Sequence, residues 1–515
     1  MKKTKAKHLL LNTVMPFVLE VVTIASGLIV PRLLLGSFGS EVNGLVSSIT
    51  QFLAIITFFE AGIGSVVRYN LYKPLAEQDN VQLSKVVVSA NKFFRLLAWI
   101  LLGYVVVLMA IYPLIAAKEF GHMYTAILIA VMCVSSFSRY YFGQVNQLLL
   151  TADQKGYIQY TAQIVTIILN VTATAVLIKL GAGIHFVKLS TSLIHLLRPL
   201  FLQWYVKRHY SINYKITYTE EPIKQKWNGL AQHIASVVLD HTDVIVLTVL
   251  STLSNVSIYH SYHLVVNGIK KLLHTSTSGI QSRMGELIAR EDRDQLQSTF
   301  SKMEWTIHTT SSFLFGTTCV LIVPFIMVYT KGITDANYNV PLFGLLITMA
   351  NAGHSLRLPY SITVLSGGHY KQTQSNYIIA AVMNIVVSVV LVFFYGLVGV
   401  AIGTLVAMLY QTVWMAYYCY KNVIHRNIML FWKQMLVDAL SYTGSVLLFV
   451  FSDIHAENYW QWIMQALKFT GIELLWVGAL NLIFYRKQLT LFVKMIVRRL
   501  TKKRRKIQNT DPGDR

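Results

Sequence analysis

Stretches of about 20 mostly apolar residues recur along nearly the whole of this 515-residue chain. A helix needs roughly 20 apolar residues to cross the hydrocarbon core of a bilayer. The alternation of apolar and polar residues that is typical of a lipid-facing β-barrel strand is absent. Because 54% of the residues are hydrophobic and 13% are charged, the composition excludes a soluble protein of this length. We therefore predict an all-α, polytopic membrane protein.

Fourteen of these stretches can be assigned as membrane spans. They are Leu9–Leu35, Gly44–Val67, Leu96–Ala116, Thr125–Leu150, Tyr160–Ile178, His185–Val206, Leu230–Leu250, Ser257–Ile280, Ile307–Thr330, Pro341–Leu365, Tyr377–Tyr395, Val398–Tyr418, Gln434–Phe451 and Tyr459–Tyr485. The connections on one side are too short for an additional domain. Those on the other side are too small for a nucleotide-binding domain.

The basic residues are concentrated in alternate connections. The N-terminus, every second connection and the C-terminal tail contain 34 of the 45 Lys and Arg residues, whereas the opposite connections contain 4. The positive-inside rule therefore places both termini in the cytoplasm. The N-terminal MKKTKAKH and the long apolar run after it predict an uncleaved first span. We expect the basic tail to lie on anionic lipid headgroups, and nucleic acid is the weaker alternative.

The first two spans are repeated in the second half of the chain. The unit at residues 9–97 has a weaker copy near residue 230, in which Asp240 aligns with Glu20. A later segment ending at Asn170 matches one ending at Asn384. Because matching segments have the same predicted orientation, we expect two parallel six-helix lobes around a central cavity. The predicted domains are an N-lobe (1–228), a C-lobe (229–432), an appended helix pair (433–485) and a basic cytoplasmic tail (486–515).

Six cationic residues lie inside or at the edge of the predicted spans, where a charge is costly unless it faces a cavity or a partner. They are Arg32, Arg139, Arg198, Lys270, Lys271 and Arg357. Cations that line a cavity suit an anionic ligand, and arginine matches phosphate oxygens two at a time. We predict that these six residues bind the substrate. The alternative is that each pairs within the protein or reaches the membrane surface.

Three carboxylates in the spans are candidates for binding a coupling ion. They are Glu60, Asp240 and Asp243, and the last two share a helix face because they lie three residues apart. A buried carboxylate can bind H⁺ or Na⁺. The alternative is a salt bridge to a cavity Arg or Lys.

The sequence contains no motif of an enzyme or a metal protein. Walker A and GxSxG motifs are absent, and the histidines do not follow a metal-ligand spacing. The cysteines Cys133, Cys319 and Cys419 all lie inside predicted spans, which indicates core residues. We therefore predict no catalytic residue, no metal and no cofactor other than the coupling ion.

Three segments of the chain resemble a known family. They are IVPRLLLGSFGSEVNGLVSSITQFLAIITFFEAGIG, LYKPLAEQD and TDVIVLTVLSTLSNVSIYHSYHLVVNGIKKLL. These segments are similar to the Wzx-type oligosaccharide flippases of the multidrug/oligosaccharidyl-lipid/polysaccharide exporter superfamily, and the likeness covers about residues 5–420. In lipid II flippases of this superfamily, arginines on the first, second and eighth spans engage the diphosphate. Arg32, Lys270 and Lys271 fall on comparable spans, and Arg68 lies at the mouth of the second span.

The resemblance implies a flippase that works by alternating access. Its substrate would be an undecaprenyl-diphosphate-linked oligosaccharide, which it would move from the inner to the outer leaflet of a bacterial plasma membrane. The implied partners are this lipid-linked oligosaccharide, membrane lipids, and a polysaccharide polymerase or glycosyltransferase.

Two other functions stay open at this point. A cation-coupled exporter of drugs or other small molecules from the same superfamily would have a cavity of carboxylates and aromatic residues. A membrane glycosyltransferase or polymerase would need acidic residues on substantial outer loops, and such loops are missing from the sequence.

Overall fold

Every regular element in the described part of the chain is a helix, which confirms the all-α prediction. The computed structural model describes residues 2–55, 58–115, 120–223, 230–452, 454–492 and 494. The helices are α1 (Lys2–Ala54), α2 (Phe58–Glu77), α3 (Asn80–Ile115), α4 (His122–Ser138), α5 (Gln144–Ala152), α6 (Gly156–Lys179), α7 (Ile184–His209), α8 (Leu230–Leu250), α9 (Leu253–Ala289), α10 (Arg293–Tyr329), α11 (Pro341–Leu356), α12 (Leu358–Ser366), α13 (Tyr370–Tyr395), α14 (Leu397–Cys419), α15 (Met429–Phe451) and α16 (Tyr459–Phe484). Two π-helical segments, Arg139–Gly143 and Tyr420–Ile424, follow α4 and α14.

The protein is a multi-pass membrane protein. Within the described ranges, nine helical segments are long and apolar enough to cross a membrane. They are Val14–Ala54, Asn80–Leu114, His122–Ala152, Gly156–Lys179, Arg293–Tyr329, Tyr370–Tyr395, Leu397–Ile424, Met429–Phe451 and Tyr459–Phe484. The number of fourteen spans stays a prediction. The helix α8 has the same bounds as the predicted span Leu230–Leu250.

The helices form two compact units. Unit 1 contains Met1–Leu264, Tyr329–Tyr338 and Tyr377–Thr404, and unit 2 contains Val265–Val328, Asn339–Asn376 and Leu405–Arg515. The helices α9, α10, α13 and α14 therefore contribute residues to both units. The lobe boundaries expected at 228/229, 432/433 and 485/486 stay predictions.

The predicted turn between the first two spans is a break inside α1, at Gly39. Gly39 has a φ of +80°, which a residue with a side chain rarely adopts. A Cβ there would also lie 2.7 Å from Oδ2 of Asp335. The same carboxylate accepts hydrogen bonds from the backbone N–H of Ser40 (2.6 Å) and from its hydroxyl (2.7 Å). Asp335 therefore caps the helical segment that restarts at Ser40.

Small residues allow α1 to approach α9 closely within unit 1. A Cβ on Gly44 would lie 1.8 Å from the carbonyl oxygen of Leu253, so only glycine fits without a shift of the backbone. Next to this contact, the Asn43 amide donates to the Ser257 hydroxyl over 2.8 Å, and both residues are buried. Small residues and interhelical hydrogen bonds are the usual means of joining helices in a membrane.

In unit 2, the last two helices pack on α10. The Trp305 indole on α10 donates to the Asn481 amide oxygen on α16 over 2.7 Å. The Ser445 hydroxyl on α15 donates to Glu473 on α16 over 2.8 Å. A Cβ on Gly316 of α10 would lie 2.4 Å from the same Glu473 oxygen. The pair α15 and α16, which was predicted as an appended pair, is thus part of unit 2.

We expect Gly44→Ala to destabilise the protein by about 1–3 kcal/mol, because the added methyl group overlaps the Leu253 backbone. Unfolding in detergent, monitored by circular dichroism, measures the change. Gly103→Ala is the matched control, since a Cβ there meets nothing within 4 Å and alanine favours the helix. Equal stability of the two variants would contradict the close packing of α1 on α9.

Candidate functional site

The fourth predicted span is interrupted at one of the predicted site residues. α4 ends at Ser138, and the π-helical segment begins at Arg139 and ends at Gly143. A π-helical turn inserts an extra residue into a helix and often marks a functional site. A Cβ on Gly143 would lie 2.7 Å from the Pro199 ring, so glycine allows α7 to approach the interruption. The interruption thus places Arg139 beside α7.

A cavity of unit 1 lies beside this interruption, between α4, α5, α6 and α7. Its volume is about 270 Å³, and its polar lining includes Arg139, Gln147, Gln163, Thr166, His195 and Arg198. A neighbouring cavity of about 300 Å³ shares Ser135, Ser136, Arg139 and His195 with it and adds Lys188. We call the two together the basic cavity.

The lining of the basic cavity carries positive charge. Arg139, Lys188 and Arg198 contribute cationic groups, and His195 has Arg198 and Lys188 as charged neighbours. None of the residues described as lining either cavity is acidic. A small anion that enters the basic cavity would therefore be attracted by several positively charged side chains.

Amide side chains hold the two arginines in place. Nη2 of Arg198 donates to Oε1 of Gln147 over 2.8 Å and to Oε1 of Gln159 over 2.7 Å. Nε of Arg139 donates to Oε1 of Gln144 over 3.4 Å, which is a long contact. Amides carry no net charge, so these contacts orient the guanidinium groups without forming ion pairs.

Of the six predicted cationic residues, the structure brings Arg139 and Arg198 together. Arg32 also belongs to unit 1, where its guanidinium donates to the Lys331 carbonyl over 2.7 Å. The other three, Lys270, Lys271 and Arg357, belong to unit 2. The central cavity expected to contain all six residues stays a prediction.

Lys188 and His195 were not predicted, although they line the basic cavity with Arg198. The three residues lie on α7 at spacings of seven and three, which places them on one helix face. This spacing was present in the sequence. It was overlooked because Lys188 lies near the end of its span and was assigned to a connection.

Unit 2 has its own basic group. Arg357 separates α11 from α12, and its Nη2 lies 3.0 Å from Nδ1 of His354. The neighbours of His354 also include Lys270 and His274. Lys271 is exposed, as expected for two adjacent residues that point about 100° apart on a helix. In the predicted repeat the position equivalent to Arg139 is His354, and Arg357 lies one helical turn further on.

Of the three predicted acidic residues, Asp243 is buried in unit 1. Its Oδ2 accepts from the Tyr259 hydroxyl (2.8 Å) and the Thr404 hydroxyl (2.6 Å), and its Oδ1 accepts from the Asn384 amide (3.3 Å). Ser388 extends this group by donating to the Asn384 amide oxygen over 2.9 Å. The side chains of Glu60 and Asp240 lie outside the described part of the structure.

Comparison with known proteins gives the fold. No family model and no curated sequence matches the chain. The inward closed conformation of the lipid II flippase MurJ has a TM-score of 0.71 at 15% identity, over 93% of this chain and 99% of that one. An outward-facing multidrug resistance MATE transporter of the MOP superfamily has a TM-score of 0.56 at 14% identity, and the match covers 81% of this chain and 96% of that one. The bent form of the Vibrio cholerae MATE transporter VcmN has a TM-score of 0.56 at 12% identity, and the match covers 85% of this chain and 100% of that one. The chain therefore has the fold that these transporters share.

Proposed function

We propose that this protein is a flippase of the Wzx type. It moves a polyprenyl-diphosphate-linked oligosaccharide from the inner to the outer leaflet of a bacterial plasma membrane by alternating access. The observation that carries the proposal is the basic cavity, where Arg139, Lys188, His195 and Arg198 gather beside an interrupted span and no acidic residue is among the described lining.

The chemistry of the basic cavity suits a diphosphate. Each unpaired polar group costs several kcal/mol in hydrocarbon, so a diphosphate needs a charged, wet passage across the membrane. Guanidinium groups bind phosphate oxygens through paired, charge-assisted hydrogen bonds. The two cavity volumes, about 270 and 300 Å³, fall near the lower end of ligand pockets, roughly 300 Å³. They suit a compact headgroup whose lipid tail stays in the bilayer.

The fold alone is equally compatible with a multidrug exporter, since MATE transporters share it. The sign of the cavity charge separates the two functions. A cationic drug would be repelled by Arg139, Lys188 and Arg198, whereas an anionic lipid headgroup would be attracted. We therefore place the multidrug exporter second, and a glycosyltransferase or polymerase third.

We also propose that Asp243 binds the coupling ion, H⁺ or Na⁺. Asp243, Asn384, Ser388 and Thr404 bring several oxygen atoms together in unit 1, and Asp243 is 4% exposed. Hard cations prefer oxygen ligands from carboxylates, amides, hydroxyls and carbonyls. The carbonyl of Val400 lies in the same group, since it accepts from the Thr404 hydroxyl over 3.1 Å.

The first test removes one guanidinium. We expect Arg198→Gln to slow flipping of a polyprenyl-diphosphate oligosaccharide about 10-fold or more, because a charge-assisted hydrogen bond contributes about 1.5–3 kcal/mol. A leaflet-resolved assay in proteoliposomes measures the rate. Arg208→Gln is the matched control, since Arg208 lies on the same helix but is exposed and stacks over Trp204 at 5.8 Å. Equal rates in the two variants would overturn the role of the basic cavity.

The second test concerns coupling. We expect Asp243→Asn to abolish the response of the flipping rate to imposed Na⁺ or pH gradients, because asparagine cannot neutralise a bound cation. Glu286→Gln is the control: hydrogen bonding from Arg283 and the nearby charge of Arg290 lower the pKa of Glu286, so this exposed carboxylate stays ionised near neutral pH. A full gradient response in the Asp243 variant would refute ion binding at this position.

A further inference from the structure

A group of buried titratable side chains in unit 2 belongs to no function discussed so far. We call it the Glu304 cluster. It consists of Glu304 and His308 on α10, Tyr360 on α12, Tyr420 at the start of the second π-helical segment, and Asp438 on α15. All five are buried, and the most accessible of them, Glu304, is 6% exposed. It shares no residue with the basic cavity.

The members of the Glu304 cluster form a continuous chain of hydrogen bonds. Nδ1 of His308 lies 2.5 Å from Oδ2 of Asp438, and Nε2 lies 3.0 Å from the Tyr360 hydroxyl. The Tyr360 hydroxyl lies 2.8 Å from Oε1 of Glu304. The Tyr420 hydroxyl reaches the same carboxylate at 2.8 and 3.1 Å. Four contacts therefore connect five side chains on four elements.

Counting hydrogens shows that this chain needs one proton more than its ordinary groups supply. Each of the four contacts requires one hydrogen between its two heavy atoms. With both carboxylates ionised and the imidazole neutral, His308, Tyr360 and Tyr420 supply three hydrogens in total. The fourth hydrogen requires a doubly protonated His308 or a protonated carboxyl group on Glu304 or Asp438. Tyr360 can move a proton between His308 and Glu304, because its hydroxyl can donate to either neighbour.

The charges of the buried side chains also favour one additional proton in the cluster. Without the additional proton, the carboxylates of Glu304 and Asp438 bring two negative charges into a buried site, which is costly. Arg426 offsets one of them, with its guanidinium 3.9 Å from Oε2 of Glu304. The additional proton offsets the other. The remaining titratable neighbours are Cys419 on α14, Tyr442 on α15 and Tyr485 after α16.

Asp438 makes its contacts at one end of the chain of hydrogen bonds. Its Oδ1 accepts from the buried Ser312 hydroxyl over 2.9 Å, and its Oδ2 lies 2.5 Å from Nδ1 of His308. The Tyr360 hydroxyl lies instead between His308 and Glu304. A proton can therefore be relayed between His308 and Glu304.

We propose that the Glu304 cluster is a proton-binding site that fastens α15 to α10. One proton is held between His308 and Glu304 and is relayed by the Tyr360 hydroxyl. When it is bound, all four contacts are complete and an imidazolium faces Asp438 of α15. When the proton leaves, one contact loses its hydrogen, and the positive charge of the His308 ring no longer faces Asp438. Separation of α15 from α10 is thus linked to release of a proton.

The first experiment locates the proton in the full-length protein in detergent micelles. Nitrogen-15 spectra of histidine-labelled protein at about pH 8, where ordinary histidines are neutral, report doubly protonated rings. We expect one such ring, absent from His308→Gln and retained in the control His369→Gln, whose ring binds the Tyr418 hydroxyl. If the proton resides on Glu304 instead, infrared spectra show a carboxylic acid band that Glu304→Gln removes.

The Tyr360→Phe variant separates this site from an ordinary buried ion pair. Loss of the hydroxyl removes two contacts but only one hydrogen, so the two remaining contacts are complete without the additional proton, whereas the charges of Glu304, Asp438 and Arg426 are unchanged. We expect the proton to bind more weakly, so that its signal is lost at a lower pH than in the original protein. A proton signal unchanged by Tyr360→Phe, or no such signal on either residue of the original protein, would overturn the proposal. Tyr360→Phe removes only one oxygen atom from the core, so we expect this variant to fold. It therefore tests the proton-binding site even if His308→Gln does not fold.

The second experiment tests the link to α15. Since opening releases one proton, its equilibrium constant should rise by up to 10-fold per pH unit, so protection of α15 falls as pH rises. Hydrogen exchange of Met429–Phe451, corrected for the intrinsic pH dependence of exchange, measures this protection. In Tyr360→Phe we expect this pH dependence to move to lower pH, together with the proton signal. An α15 protection that is independent of pH in the original protein would refute the coupling.

Discussion

A polar group that is removed from water must find its partner inside the protein, and much of this structure depends on that requirement. Backbone groups meet it by forming helices, which is why every regular element in the described ranges is helical. Side chains meet it in different ways. Amide oxygens of Gln147 and Gln159 orient Arg198, whereas the Asp438 carboxylate faces a ring nitrogen of His308. The kind of partner decides whether charge stays available to a ligand or is balanced within the fold.

The two interrupted spans follow from the same requirement. A helix that breaks within a membrane leaves backbone groups that neighbouring helices or side chains must satisfy, so a break is retained only where the protein lines a cavity or packs closely. One break begins at Arg139, beside the basic cavity, and the other lies at Arg357 between α11 and α12. Each of these two segments carries a basic residue, one in unit 1 and one in unit 2.

The sequence predicted the helices more fully than the sites. Apolar stretches of membrane-spanning length appear directly in composition, and a cation inside such a stretch is unusual enough to single out Arg139 and Arg198. The partners of these residues depend on how helices pack, which one sequence does not reveal. His308 and Asp438 belong to no sequence motif. Their contact joins residues 130 positions apart, and nothing in local spacing indicates it.

The two sites use buried charge in opposite ways. In the basic cavity, three cationic side chains gather around an open volume whose described lining contains no acidic residue, which is the arrangement expected of an anion site. In the Glu304 cluster, Arg426 balances one of the two negatively charged carboxylates, and the bound proton balances the other. The side chains of this second site come from α10, α12 and α15 and from the segment after α14. Because Asp438 lies on α15, the helix pair that was predicted as an addition to the two lobes completes the site, and without α15 the ring of His308 would lack its carboxylate partner.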